Sequence, residues 1–143
     1  MARIEFHILN SSGDEARIRH ACLLIEQLYQ QQKTVFVLVD SDSTATKIDE
    51  LLWIFRDQAF IPHELCTAQS PSDDRIKVLI GLDNPPIDFQ TSIIHLGNDA
   101  LPAFHNTSLI IEIVDADPVH KQQARERYKQ YRDQGHQLDT INH

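Results

Sequence analysis

Five consecutive apolar residues, Val35-Phe-Val-Leu-Val39, constrain this chain more than any other stretch. A strand with one wet face alternates apolar and polar side chains. An unbroken β-branched and apolar run predicts a strand covered on both faces, as in a parallel sheet. Parallel strands need crossover connections, and the flanking segments supply them. From Asp14 to Gln32, apolar residues fall at Ala16, Ile18, Ala21, Cys22, Ile25, Leu28 and Tyr29, and these steps of three and four predict a helix. Ahead of it, Ile4 to Leu9 reads as a first strand, and Asn10-Ser-Ser-Gly-Asp as a turn and helix start. Beyond Val39, Ser43 is a plausible N-cap, and Ala45, Ile48, Leu51 and Leu52 carry a helical period on to Trp53. The order strand, helix, strand, helix implies right-handed crossovers. The expected class is α/β, a Rossmann-like layered fold with a mainly parallel central sheet and helices on both faces.

Further strands are expected at Lys77–Gly81, Ser92–Leu96 and Leu109–Val114, with turns at Asp83-Asn-Pro-Pro and Gly97-Asn-Asp and a polar loop at Ser70-Pro-Ser-Asp-Asp. The 143 residues contain no internal repeat and no dividing linker, so residues 1–143 are expected to form a single domain. No apolar run approaches a membrane span, and the N-terminus enters a strand pattern without a signal-peptide layout. Cys22 and Cys66 give no disulfide framework. A cytoplasmic protein without membrane partners is the expectation.

Catalytic patterns are scarce. Asn10-Ser-Ser-Gly13 sits between a strand and a helix but has one glycine, and neither G-x-G-x-x-G nor G-x-x-x-x-G-K-[ST] occurs. There is no G-x-S-x-G elbow. The histidines His7, His20, His63, His95, His105, His120, His136 and His143 match no H-E-x-x-H or paired-cysteine spacing, so no metal and no cofactor is expected. Asp40 and Asp42 follow a buried strand at the end where α/β sheets hold ligands. They could bind a metal or cap the next helix, and capping is favoured. A small nucleotide-binding or metal-dependent phosphoryl-transfer enzyme using this pair is the alternative to a non-enzyme.

Two stretches suggest binding instead. Asp117-Pro118 and Gly135 bracket a helix, with Ala124, Tyr128 and Tyr131 on one face. Between Lys121 and Arg132 stand five cations (Lys121, Arg125, Arg127, Lys129, Arg132) against one anion, Glu126, on a chain of net charge −8. Such cations can simply complement the helix dipole and cover apolar surface with their stems. They can also form a receptor for an acidic partner, with tyrosine as a wall. Bulk nucleic acid fits less well, because the acidic body repels phosphate. The second stretch crowds Trp53, Phe55, Phe60, Ile61 and Pro62 together with no clear period. It is either a local core under a loop or an exposed patch for a protein partner.

Leu51-Leu-Trp53 with Phe60-Ile-Pro-His63, and Ala124-Arg-Glu-Arg-Tyr-Lys-Gln-Tyr-Arg132, resemble the chi subunit of bacterial DNA polymerase III holoenzyme. The resemblance extends over the N-terminal strand-helix-strand and nearly the whole length. It implies a noncatalytic adaptor that pairs with the psi subunit, is thereby tethered to the clamp loader, and binds the acidic C-terminal tail of single-stranded DNA-binding protein. DNA would be reached only through that protein. Carried over residue by residue, the tail site would be Arg125, Tyr128, Lys129 and Arg132, with Lys121 at the rim. The psi-facing patch would be Trp53, Phe60, Ile61 and Pro62.

Overall fold

In the computed structural model, residues 2–54, 60–97 and 107–143 are described. Phe55, His105 and most of the turn expected at Gly97-Asn98-Asp99 lie outside them. The elements in chain order are β1 (Arg3–Ile8), α1 (Asp14–Gln30), β2 (Val35–Leu38), α2 (Asp42–Ile54), β3 (His63–Leu65), β4 (Val78–Gly81), β5 (Ser92–His95), β6 (Leu109–Val114), α3 (Pro118–Asp133) and β7 (Gln137–Asn142). A short 3₁₀ turn spans Ile87–Phe89. The strands form one sheet in the order β3-β4-β2-β5-β6-β1-β7, and every pairing in it is parallel. The expected α/β layered fold is therefore observed, with Val35–Leu38 third of seven strands.

The two faces are closed differently. Val35, Val37, Ile80, Ile94, Ile111 and Ile113 point to one side and pack under α1 and α2 through Ile18, Cys22, Ile25, Ile48 and Leu52. Burial pushes the Cys22 thiol up to about 12, so it behaves as a small core hydrophobe. On the other side, Ile4, Phe6, Ile110 and Val114 pack under α3 through Ala124 and Tyr131. Alternation along β1 thus sends Phe6 and Ile8 towards α3 and Glu5 and His7 to the α1 side. Further along this second face, Phe36, Leu79 and Ile93 are covered by Phe89 of the 3₁₀ turn.

Three local departures have physical reasons. The expected cap Ser43 lies inside α2, which starts at Asp42; Ser41 Oγ accepts from Thr44 N at 3.2 Å and caps the helix, so neither Asp40 nor Asp42 does. β3 is three residues long, too short to show a period. β7 is an edge strand with exposed or half-buried positions throughout, so it lacks the apolar signature of the central strands.

Candidate functional site

The helix α3 begins as its sequence dictates. Asp117 caps it, its carboxylate accepting from Val119 N at 2.8 Å and His120 N at 3.4 Å, and Pro118 occupies the first turn. Gly135, at φ 85°, takes the left-handed conformation that ends the helix and turns the chain into β7. Asp115, at the end of β6, fixes the approach. It accepts from Gly13 N at 3.0 Å, Asp117 N at 3.2 Å and His120 Nδ1 at 2.7 Å, tying the starts of α1 and α3 to one carboxylate. Burial opposes its ionisation, but these donors outweigh it and hold the group below the usual carboxylate range.

The buried side of α3 rests on Glu112, which is wholly buried in β6. Its Oε1 meets His95 Nδ1 at 2.8 Å, Tyr131 OH donates to Oε2 at 2.6 Å, and Arg127 Nε approaches Oε2 at 3.3 Å. Burial would raise this carboxyl, yet His95, Arg127 and Tyr131 together hold it below the ordinary value. The Tyr131 hydroxyl is driven up by burial and by the Glu112 charge. One of the five cations of the basic helix is thus structural: Arg127 is buried on Glu112.

The other four surround a groove of about 420 Å³ between α3 and β7. Phe6 and Ile8 of β1, Val114 and Ala124 give it an apolar floor; Lys121, Arg125, Lys129 and Arg132 stand around it, and Thr140 of β7 closes the far side. Tyr128 lines it too, its ring 5.5 Å from that of Phe6. All five residues expected for an acidic-tail site therefore line one groove. Among the described residues Lys121, Arg125 and Lys129 have no acidic partner, while Arg132 lies 3.7 Å from exposed Asp133. The helix spacing was readable; Phe6, Ile8 and Thr140 were not, because they arrive from strands distant in sequence.

The second stretch forms a ledge at the end of α2. Trp53 and Phe60 are 54% and 65% exposed, with ring centroids 5.5 Å apart. Trp53 also packs on the ring of His63 at 4.4 Å. His63 is a brace: it bonds Ile61 O at 2.7 Å and Asp49 O at 3.1 Å. Pro62 is half-buried. Ile61 departs from the expectation: only 3% exposed, it belongs to the core beneath α1 and α2 and lies under the ledge rather than on it. Ile54, 73% exposed at the last position of α2, extends the apolar surface and was not singled out in sequence.

Asp40 and Asp42 do not converge on one cavity. Asp40 lines a polar hollow with Asp14, Arg17, Ser41, Thr44 and His120, whereas Asp42 lines another with Cys66 and Asp83. Among the described residues, His7, His20 and His143 instead bring three possible ligand atoms within 4.8 Å of one another, a grouping that their separation in sequence hid from motif spacing. No described helix is long and apolar enough to cross a membrane.

Comparison with known proteins gives a consistent result. The family profile "DNA polymerase III chi subunit, HolC" matches residues 1–139. A relative from Pseudomonas aeruginosa named DNA polymerase III subunit chi is 33% identical over 138 residues, covering 96% of this chain and 94% of its own. Proteins of the same name from Haemophilus influenzae and Escherichia coli are 34% and 26% identical, covering 96% and 98% of this chain and 95% and 97% of their own. Among solved structures, the crystal structure of T4 UvsW superposes with a TM-score of 0.65 at 10% identity over 98% of this chain and 42% of that one, a likeness of fold alone.

Proposed function

The chain belongs to the DNA polymerase III chi subunit family of noncatalytic replication accessory subunits, and on that premise we propose that it is an adaptor whose α3 groove receives the acidic C-terminal tail of single-stranded DNA-binding protein while its Trp53–Phe60 ledge receives the psi subunit and, through it, the clamp loader. The observation that carries the reading is the convergence of Lys121, Arg125, Tyr128, Lys129 and Arg132 on one apolar-floored groove. A peptide ending in an apolar residue with a free carboxylate brings both chemistries the groove offers. Its end group would cover Phe6, Ile8 and Tyr128, and its carboxylates would accept charge-assisted bonds from the rim.

Arg125, Lys129 and Arg132 are exposed and Lys121 is half-buried, so each contact is modest and screened by salt. The expected affinity is micromolar, on the order of 8 kcal/mol. The ledge supports the psi assignment by its chemistry: two aromatic rings stand exposed over a braced histidine, with Ile54 beside them. Co-purification of wild-type and Phe60→Ala chains with psi tests this half. Retention of psi by the variant at wild-type strength would overturn it. DNA reaches the adaptor through its protein partner, in keeping with the net charge of −8. Titration with bare oligonucleotide, compared with oligonucleotide coated by its binding protein, should give binding only in the coated case.

A further inference from the structure

On the α1 side of β1, opposite the groove, three imidazoles meet. His7 comes from β1, His20 from α1, and His143 from the residue following β7. His7 Nδ1 lies 3.0 Å from His143 Nε2 and 3.1 Å from His20 Nε2, and the three candidate ligand atoms are all within 4.8 Å of one another. Zinc–imidazole bonds of about 2.0–2.1 Å at tetrahedral angles put neighbouring nitrogens roughly 3.3 Å apart. The observed spacing is thus close to that of a coordination sphere before any side chain moves.

Hydrogen bonding around the cluster points the same way. His7 Nε2 is 3.1 Å from Glu5 Oε1, and Glu5 Oε2 is held by Arg3 at 3.2 Å. An ionised carboxylate only accepts, so the His7 proton sits on Nε2 and its Nδ1 carries a lone pair. That lone pair faces the Nε2 atoms of two other rings. One acceptor cannot satisfy two donors well, whereas one cation satisfies three lone pairs. Carboxylate–histidine–metal relays are the usual second layer of such sites. The third ring is delivered by the fold: β7 runs parallel to β1, and His143 N donates to Ile8 O at 2.9 Å, setting its side chain beside His7.

We propose that His7, His20 and His143 bind one zinc ion, with Glu5 orienting His7 and the fourth position open to water. Donors of imidazole nitrogen alone select zinc and its neighbours over magnesium or calcium. The ion would clamp the edge strand β7 to β1 and α1. Because His7 and Phe6 alternate across the sheet, the clamp and the groove are on opposite faces and can be tested separately.

The experiment uses the untagged full chain after chelator treatment, titrated with zinc chloride against a chromophoric competitor. One equivalent should bind, magnesium should not compete, and cobalt should give the visible absorption of a four-coordinate site. His143→Ala, at an exposed position, should abolish stoichiometric binding without unfolding the chain. His20→Ala/His143→Ala should bind no better, and Glu5→Gln should weaken binding on the order of 10-fold or more. Zinc should raise the melting temperature of wild type and leave that of the double variant unchanged. Failure of wild type to bind one equivalent, or equal zinc affinity in wild type and the double variant, would overturn the site.

Discussion

The groove along α3 and the ledge at the end of α2 are built on opposite plans. The groove sets four cations around an apolar floor and rests on a buried polar network, whereas the ledge exposes apolar rings and is braced by one histidine bonded to backbone. A charged rim favours a partner that arrives and leaves readily and whose hold weakens with salt. An exposed aromatic pair favours a lasting, salt-indifferent partner, since truncating such anchors removes much of a binding energy. The proposed adaptor, with one exchanging and one lasting partner, would use both kinds of surface.

The largest effect should come from breaking the frame beneath the groove. Glu112→Gln removes the anion facing buried Arg127 and should lower stability by about 3 kcal/mol or more, measured by urea unfolding. The Glu112 carboxyl is held below its ordinary value in the folded chain, so its contribution is complete above the unfolded value and fades as pH falls through the folded one. Wild type should therefore lose stability in that acid window, and the variant should lose less there.

Next in size is the ledge. Trp53→Ala or Phe60→Ala should weaken psi binding by roughly 2 kcal/mol while changing the unfolding midpoint little, because both side chains are more than half exposed. A large fall in stability would instead place them in the core. Lys129→Glu should reduce tail binding by about 1–2 kcal/mol, and Lys129→Ala by less, because charge reversal adds repulsion to lost attraction. Smallest of all is the effect of moderate salt on psi binding, which should be slight, whereas tail binding should fall measurably over the same range.

The parts of this arrangement that could be read from sequence are those set by local chemistry. The apolar run Val35–Val39 points to the parallel sheet, whose strand there is Val35–Leu38, and Pro118 and Gly135 mark the ends of α3. The spacing of Arg125, Lys129 and Arg132 gave the rim. What could not be read depends on distant partners. Glu112 sits in an apolar strand and its meaning comes from His95, Arg127 and Tyr131. The strand β7 has no internal apolar pattern, yet supplies Thr140 to the groove and leads to His143. Ile61 looked like its aromatic neighbours in sequence, but packing took it inside.

In the proposed complex the α3 groove holds an acidic tail by its terminal carboxylate and apolar end. Calorimetric titration of a short acidic peptide with a free C-terminus, alongside its C-terminal amide, distinguishes this mode of binding from any other. Micromolar binding of the free acid to wild type is expected, with much weaker binding of the amide and loss of binding in Arg125→Ala/Lys129→Glu. Equal binding of acid and amide, or undiminished binding by the double variant, would contradict it.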